Sequence, residues 1–282
     1  MVCPNCSNNQ IRRHERMCPK CQSDCGFPNV RQAKEPEEQE ALSDRLRAAT
    51  QDAEARGCIG LLDDFRKAVR GSKATINRSL SKLNALVESD DTLFATFYDL
   101  VRAGLKRPSE TEIEKIREIA DLLIFPGYED QIRFAALSLS NNGAPTYGAC
   151  AIVLSEAAIA HRATVFVENS ALYSRNEGLG SSKLEVPKGV RAAWAQRDEL
   201  AATKLSAMLE VGMNSQDFQR ILLRSDGKNP EKDAFIEVHI YGAIHRTSIE
   251  RVVVPKSERR GNASLIAEIK SKLEPLGVSV EE

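Results

Sequence analysis

Two Cys-x-x-Cys pairs open the chain, Cys3-Pro-Asn-Cys6 and Cys18-Pro-Lys-Cys21, with eleven residues between them. No other feature restricts the fold as tightly. Four thiolates on two short knuckles can close a tetrahedral metal site with every position filled, which makes the site structural and not catalytic. Such a site supplies folding free energy to a piece too small to bury a core of its own. The proline inside each knuckle stiffens the turn that aims the sulfurs at one point. Zinc is therefore expected on Cys3, Cys6, Cys18 and Cys21, in a zinc ribbon over residues 1–30. Cys25 and His14 lie close enough in sequence to stand in as ligands.

Paired cysteines can also form disulfides, which need an oxidising compartment. The first residues lack the basic, apolar, small-residue order of a secretory leader. The cysteine total of seven is odd, and Cys58 and Cys150 stand alone in apolar contexts. The expectation is a cytoplasmic protein. With 282 residues, 42% hydrophobic and 28% charged, the composition is that of an ordinary globular chain. No apolar run approaches a membrane span, so no membrane partner is expected. A net charge of −1 gives no overall basic field for nucleic acid. Locally, however, Arg12, Arg13, Arg16, Lys20 and Arg31 outnumber Glu15 and Asp24, and such a knuckle could touch phosphate.

Residues 31–130 read as a helical region. Arg31 to Glu40 is charged and holds Pro36, as a linker or the start of a helix would. Leu42, Leu46 and Ala49 share one helix face. A second helix, capped by Ser72, carries Ile76, Leu80, Leu83 and Leu86. A third, starting near Ser109 with Glu112 as capping partner, carries Ile113, Ile116, Ile119 and Leu123. The run from Leu93 to Tyr98 reads as a short apolar helix between them.

From residue 131 to 282 the period becomes strand-like. Strands are expected over 132–139, 148–154, 163–167, 235–241 and 249–254, with helices around 192–210, 215–224 and 262–273. Strands and helices do not alternate regularly enough for a doubly wound sheet. The expected class is α+β, a mixed or antiparallel sheet with flanking helices behind the ribbon and the helical segment.

In the strand Phe235 to Tyr241, alternation puts Ile236, Val238 and Ile240 on one face and Glu237, His239 and Tyr241 on the other. A carboxylate, an imidazole and a phenol on one strand face suit a cleft. Arg162, Thr164, Phe166, Glu168 and Ser170 alternate onto one face of a second strand, a set able to hold phosphate and stack a flat ring. The loop Ser140 to Gly148 and the Gly178-Leu179-Gly180-Ser181-Ser182 stretch are candidate cleft loops.

These segments resemble a known family. The order Tyr147-Gly148, a strand ending Val153-Leu154, then Arg162-Ala163-Thr164-Val165-Phe166 leading to Asn169-Ser170, is similar to bacterial and phage toxin-like ADP-ribosyltransferase domains. So is the run Phe235 to Gly242 followed by Ser248 to Val252. The resemblance starts near Gln131 and covers about half the chain. It implies that NAD is the substrate and Glu237 the catalytic carboxylate, with His239 beside it. It also implies that Tyr147 belongs to the NAD site, that Arg162 holds the NAD pyrophosphate and that Thr164, Asn169 and Ser170 shape the nicotinamide side. The acceptor would be a nucleic acid or a protein. Phe235 stands where many members carry a second acidic or amide residue.

Two other functions use the same residues. His161, His239 and His245, with Glu237 or Tyr241, could serve as acid and base of a metal-independent endoribonuclease. Alternatively the chain is a non-enzymatic module that binds nucleic acid or protein.

Overall fold

The chain is described by a computed structural model covering residues 1–89, 94–104, 107 and 112–282. Its strands are β1 (Lys73–Arg78), β2 (Ile132–Ser138), β3 (Cys150–Leu154), β4 (Ala163–Phe166), β5 (Arg191–Ala193), β6 (Leu223–Arg224), β7 (Ala234–Phe235), β8 (Glu237–Tyr241), β9 (Ile249–Val253) and β10 (Ser279–Glu281). Eight of them form one sheet in the order β10-β9-β3-β1-β2-β8-β4-β5, and β6 pairs with β7. Only β10 runs parallel to its neighbour, so the sheet is mixed and mostly antiparallel, as the α+β reading requires.

β1 departs from the sequence expectation. Residues 72–86 read as one helix, yet Lys73–Arg78 is an interior strand between β2 and β3. The helix starts only at Leu80, where the Ser79 hydroxyl accepts the Lys82 amide. Ile76, Leu80 and Leu83 fit a helical stripe by spacing alone. Ala74 and Ile76 fit a strand equally well, and pairing on both edges decides for the strand. The stretch expected to be a helical middle thus supplies a central strand to the sheet of residues 131–282.

Ala74, Ile76, Leu137, Ile152, Val165, Val238 and Ile240 occupy one face and are buried in a continuous core. Leu62, Phe65 and Val69 from the helix Ile59–Arg70, Leu200 from Arg197–Leu205, and Ile266 and Ile269 from Ala263–Leu273 belong to the same core. By strand register Thr75, Ala136 and Glu237 share the opposite face, with Asn77, Phe134 and His239 beside them. The helix Glu112–Ile124 covers that face: the Arg117 guanidinium lies 4.1 Å over the Phe134 ring, and Phe125 meets the His239 ring edge-on at 4.7 Å. Its buried line is Ala120, Asp121 and Ile124, whereas Ile119 is 43% exposed. Of the expected stripe, Ile119 turns outward and Leu123 packs against the core with Ala120 and Ile124, while the Ile113 side chain lies outside the described residues; Arg117 and Asp121 turn to the cavity. Ser109 lies outside the described residues, as does Leu93. The helix after Leu93 begins at Phe97, with Thr96 and Asp99 forming a capping box.

The N-terminal piece docks on the β4 and β8 side of the sheet. Asn29, 2% exposed, donates its side-chain amide to the carbonyls of Arg162 (3.0 Å) and His239 (3.2 Å). Phe27 packs against His161 and Tyr241, each ring 5.5 Å away. Arg31 donates to the carbonyls of Arg13, Glu15 and Gly26, tying the knuckles to the helix Pro28–Ala33. Among the described residues no helix is long and apolar enough to cross a membrane.

Candidate functional site

The four knuckle cysteines converge. Their sulfurs all lie within 4.8 Å of one another, with Cys3 and Cys21 3.5 Å apart and Cys6 and Cys18 3.7 Å apart. A tetrahedral ion with metal–sulfur bonds of about 2.3 Å needs sulfurs about 3.8 Å apart, so the residues fit. The Asn5 amide points at Cys3 Sγ from 3.4 Å, a donor that helps hold a thiolate. This set can hold a metal ion such as zinc. Cys25 directs its thiol to the Ser23 carbonyl at 3.5 Å, and His14 packs against Gly127.

The polar face of the sheet encloses a second cluster. Between β1, β2 and β8, the helix Glu112–Ile124, the turn at Phe94–Tyr98 and the loop carrying Tyr147 lies a cavity of about 340 Å³. Glu237, 2% exposed, stands in its wall. Its Oε2 accepts the Ser170 amide at 3.0 Å and the His239 Nε2 at 3.0 Å, and Arg117 Nη2 is 3.6 Å from Oε1. Burial alone would raise this carboxyl. The His239 bond, the Arg117 charge and the Ser170 amide outweigh it and hold the group below its ordinary value. Burial pulls His239 down despite Glu237, so the imidazole is neutral and Nε2 carries the proton that the carboxylate accepts.

Arg117 reaches a second carboxyl. Its Nε is 3.9 Å from Asp121 Oδ2, which also accepts the Tyr98 hydroxyl at 3.2 Å. Asp121 is 2% exposed, and among the described residues its Oδ1 has no hydrogen-bond partner. Burial raises this acid to about 7; Glu237 adds to the rise, while Arg117 and Tyr98 oppose it. Arg133, also in the wall, pairs with Asp99 at 3.3 Å, which leaves Arg78. Its Nη1 donates to the Asn77 carbonyl at 2.8 Å, and among the described residues no carboxylate pairs with it. Burial lowers its pKa, and Arg117 lowers it further, as expected of a guanidinium without a counter-ion.

Asn77 shapes the rim. Its side chain donates to the carbonyls of Asn142 and Gly148 and accepts the Ala144 amide, fixing the loop that presents Tyr147. Gly148 has φ +146°, and a Cβ there would stand 2.2 Å from the Arg78 carbonyl carbon, so only glycine allows the loop to touch β1. Tyr147 accepts the Asn169 amide at 3.2 Å and meets Phe235 edge-on. Burial, then the charge of Glu237, pushes its phenol up to about 12.

Of the residues singled out from sequence, Tyr147, Asn169 and Glu237 line this one cavity, and Ser170 reaches Glu237 through its amide. His239 sits behind Glu237 among Phe125, Phe134 and Phe166 and does not line the cavity. Arg162 and Thr164 lie elsewhere. The Arg162 guanidinium donates to the carbonyls of Ala158, Tyr241 and Ala243, and the buried Thr164 hydroxyl meets Asn29 at 3.5 Å. No histidine lines the cavity among the described residues. His161 stacks on Phe27, and His245 caps the turn Arg246–Ser248.

Sequence reasoning missed Asn77, Arg78, Arg117 and Asp121. Arg117 and Asp121 stand four apart on a helix, the spacing of an ordinary solvent-facing ion pair. No protein-family model matches the chain, and no curated protein is significantly similar to it in sequence.

Proposed function

We propose that the cavity is the NAD site of an ADP-ribosyltransferase and that Glu237 is its catalytic carboxylate. One observation carries this reading: a buried, ionised carboxylate held by three donors faces a cavity that also contains an arginine with no carboxylate partner among the described residues. Loss of nicotinamide from NAD builds positive charge at the ribose anomeric carbon. A fixed carboxylate in a water-poor wall lowers the energy of that state. Its three donors keep Glu237 charged and oriented before substrate arrives. Arg78 takes the phosphate role that the family resemblance gave to Arg162, because Arg162 spends its donors on backbone carbonyls. Tyr147, Phe134 and Phe235 offer aromatic surface to a flat ring, and Asn169 orients the Tyr147 phenol. His239 is a positioning residue acting through Glu237.

The metal on the four cysteines is zinc in this reading, with a structural role. The acceptor is a nucleophile on a nucleic acid or a protein, in the manner of toxin-like members of the family. A ribonuclease would need two proton-transfer groups at one phosphate, whereas His161, His239 and His245 occupy three different surroundings. Calorimetric titration with NAD, followed by assay of nicotinamide release, tests the proposal. Binding together with release is the expected result. Absence of both removes the transferase and leaves a binding module.

A further inference from the structure

The observation that the proposed function leaves unused is Asp121. It is a carboxyl buried to 2% exposure in the cavity wall, and among the described residues its Oδ1 meets no donor. A buried acid with an unpaired acceptor oxygen is costly to ionise, so its proton is held more tightly than usual. Arg117 stands between this carboxyl and Glu237, with Nε toward Asp121 and Nη2 toward Glu237. Two buried carboxylates that share one arginine are driven to different protonation states. Glu237 receives the three donors and keeps the charge, whereas Asp121 has the Tyr98 hydroxyl and the more distant Nε.

Resting on the transferase reading, we propose that Asp121 is its general base, the carboxylate that takes the proton of the acceptor nucleophile. In the step the bond between ribose C1′ and the nicotinamide nitrogen breaks, and its electron pair leaves with the ring, which becomes neutral. The bond from C1′ to the acceptor oxygen or nitrogen forms, and the proton on that atom passes to the Asp121 carboxylate. Glu237 does not change its protonation; it faces the developing charge. The groups around Asp121 are Arg117 on its own helix, Tyr98 from the helix Phe97–Arg102, Glu129 from the turn Glu129–Gln131 and Glu237 from β8. Arg78, Arg133 and Tyr147 line the same cavity. Raised to about 7, the acid passes between its two forms near neutrality, as a base working there should.

The test uses the full chain, NAD and water as the acceptor. Nicotinamide release by the wild type should rise with pH on a limb centred near 7. Asp121→Asn should lose that limb and on the order of a hundredfold in rate, with NAD affinity within about threefold. Tyr98→Phe removes a bond to the charged form, so its limb should move to higher pH. Thermal melting guards against a variant that fails to fold, and it reads Asp121 without any substrate. A carboxyl whose pKa is raised by folding contributes stability below its ordinary value, and that contribution is lost as pH rises through the folded value. The melting point of Asp121→Asn should therefore gain on the wild type as pH climbs from about 4 through 7. Wild-type turnover with an unchanged limb and rate in Asp121→Asn overturns the base and leaves the transferase standing. No NAD binding or turnover by the wild type at any pH overturns both. A melting gap that stays flat across the range overturns the base on its own.

Discussion

The cysteine cluster and the sheet cavity are polar sites built on opposite plans. The four sulfurs come from the first 21 residues, and each knuckle is a single turn, so spacing along the chain is already geometry. The cavity takes Asn77 and Arg78 from β1, Arg117 and Asp121 from a helix, Tyr147 from a loop and Glu237 from β8. Asn77 and Glu237 are 160 positions apart (237 − 77). The first site can be made or lost locally, by metal alone. The second exists only once the sheet is assembled, and its buried charges must hold one another. Asn29 joins the two, with its amide on the backbone of His239.

The contrast breaks if removing the metal empties the cavity as well. Cys3→Ser with Cys6→Ser should abolish metal binding, from one ion per chain to none by elemental analysis. It should unfold the knuckles yet preserve the far-ultraviolet signature of the sheet. Global unfolding of that variant would mean that the cysteine site is not local. Replacing Cys25 should leave the metal in place, because its thiol turns to the Ser23 carbonyl.

The next effect sharpens the non-local side. Glu237→Gln keeps the shape and removes the charge, so turnover should fall on the order of a hundredfold or more, with little change in NAD affinity. His239→Ala should cost less, since that ring orients Glu237 and does not line the cavity. The reverse ranking would return acid–base chemistry to the imidazole. Smaller again, Arg78→Ala should weaken NAD binding by about 1.5–3 kcal/mol in calorimetry, the value of a charge-assisted bond to phosphate. Arg162→Ala should leave NAD affinity unchanged and lower only stability, by about 2 kcal/mol for its lost carbonyl bonds. If Arg162 instead governs affinity, the phosphate end lies on the other side of β8.

What the sequence disclosed follows the same division. The sulfur set was legible because a Cys-x-x-Cys turn needs no tertiary partner. The alternation of Ile236, Val238 and Ile240 against Glu237 and His239 was legible because a strand has period two, and the structure buries the first set in the core. β1 was hidden because Ile76 satisfies two periods at once and its partners lie far along the chain. Asp121 was hidden because four-residue spacing to Arg117 looks like solvent chemistry until a sheet is placed beneath the helix. Arg162 drew notice as a cation on a strand, but only three-dimensional structure reveals that its donors are committed to Ala158, Tyr241 and Ala243.

The central position of β1 has a consequence for the way this chain is made. β1 ends at Arg78 and β2 begins at Ile132, a gap of 54 positions (132 − 78). At about 5–20 residues per second, β1 waits roughly 3–11 s after its own synthesis before its first partner has begun to be synthesised. During that wait it is a bare strand carrying Ala74, Thr75 and Ile76, able to pair with another nascent copy. Lys73 and Arg78 bracket it, and flanking charges of this kind discourage such pairing. In the finished molecule Lys73 turns to Glu250, 2.9 Å away, and Arg78 turns to the cavity. The cation proposed to meet a phosphate in the mature protein thus guards its own strand at birth, and replacing it would burden the yield of soluble chain as well as the site.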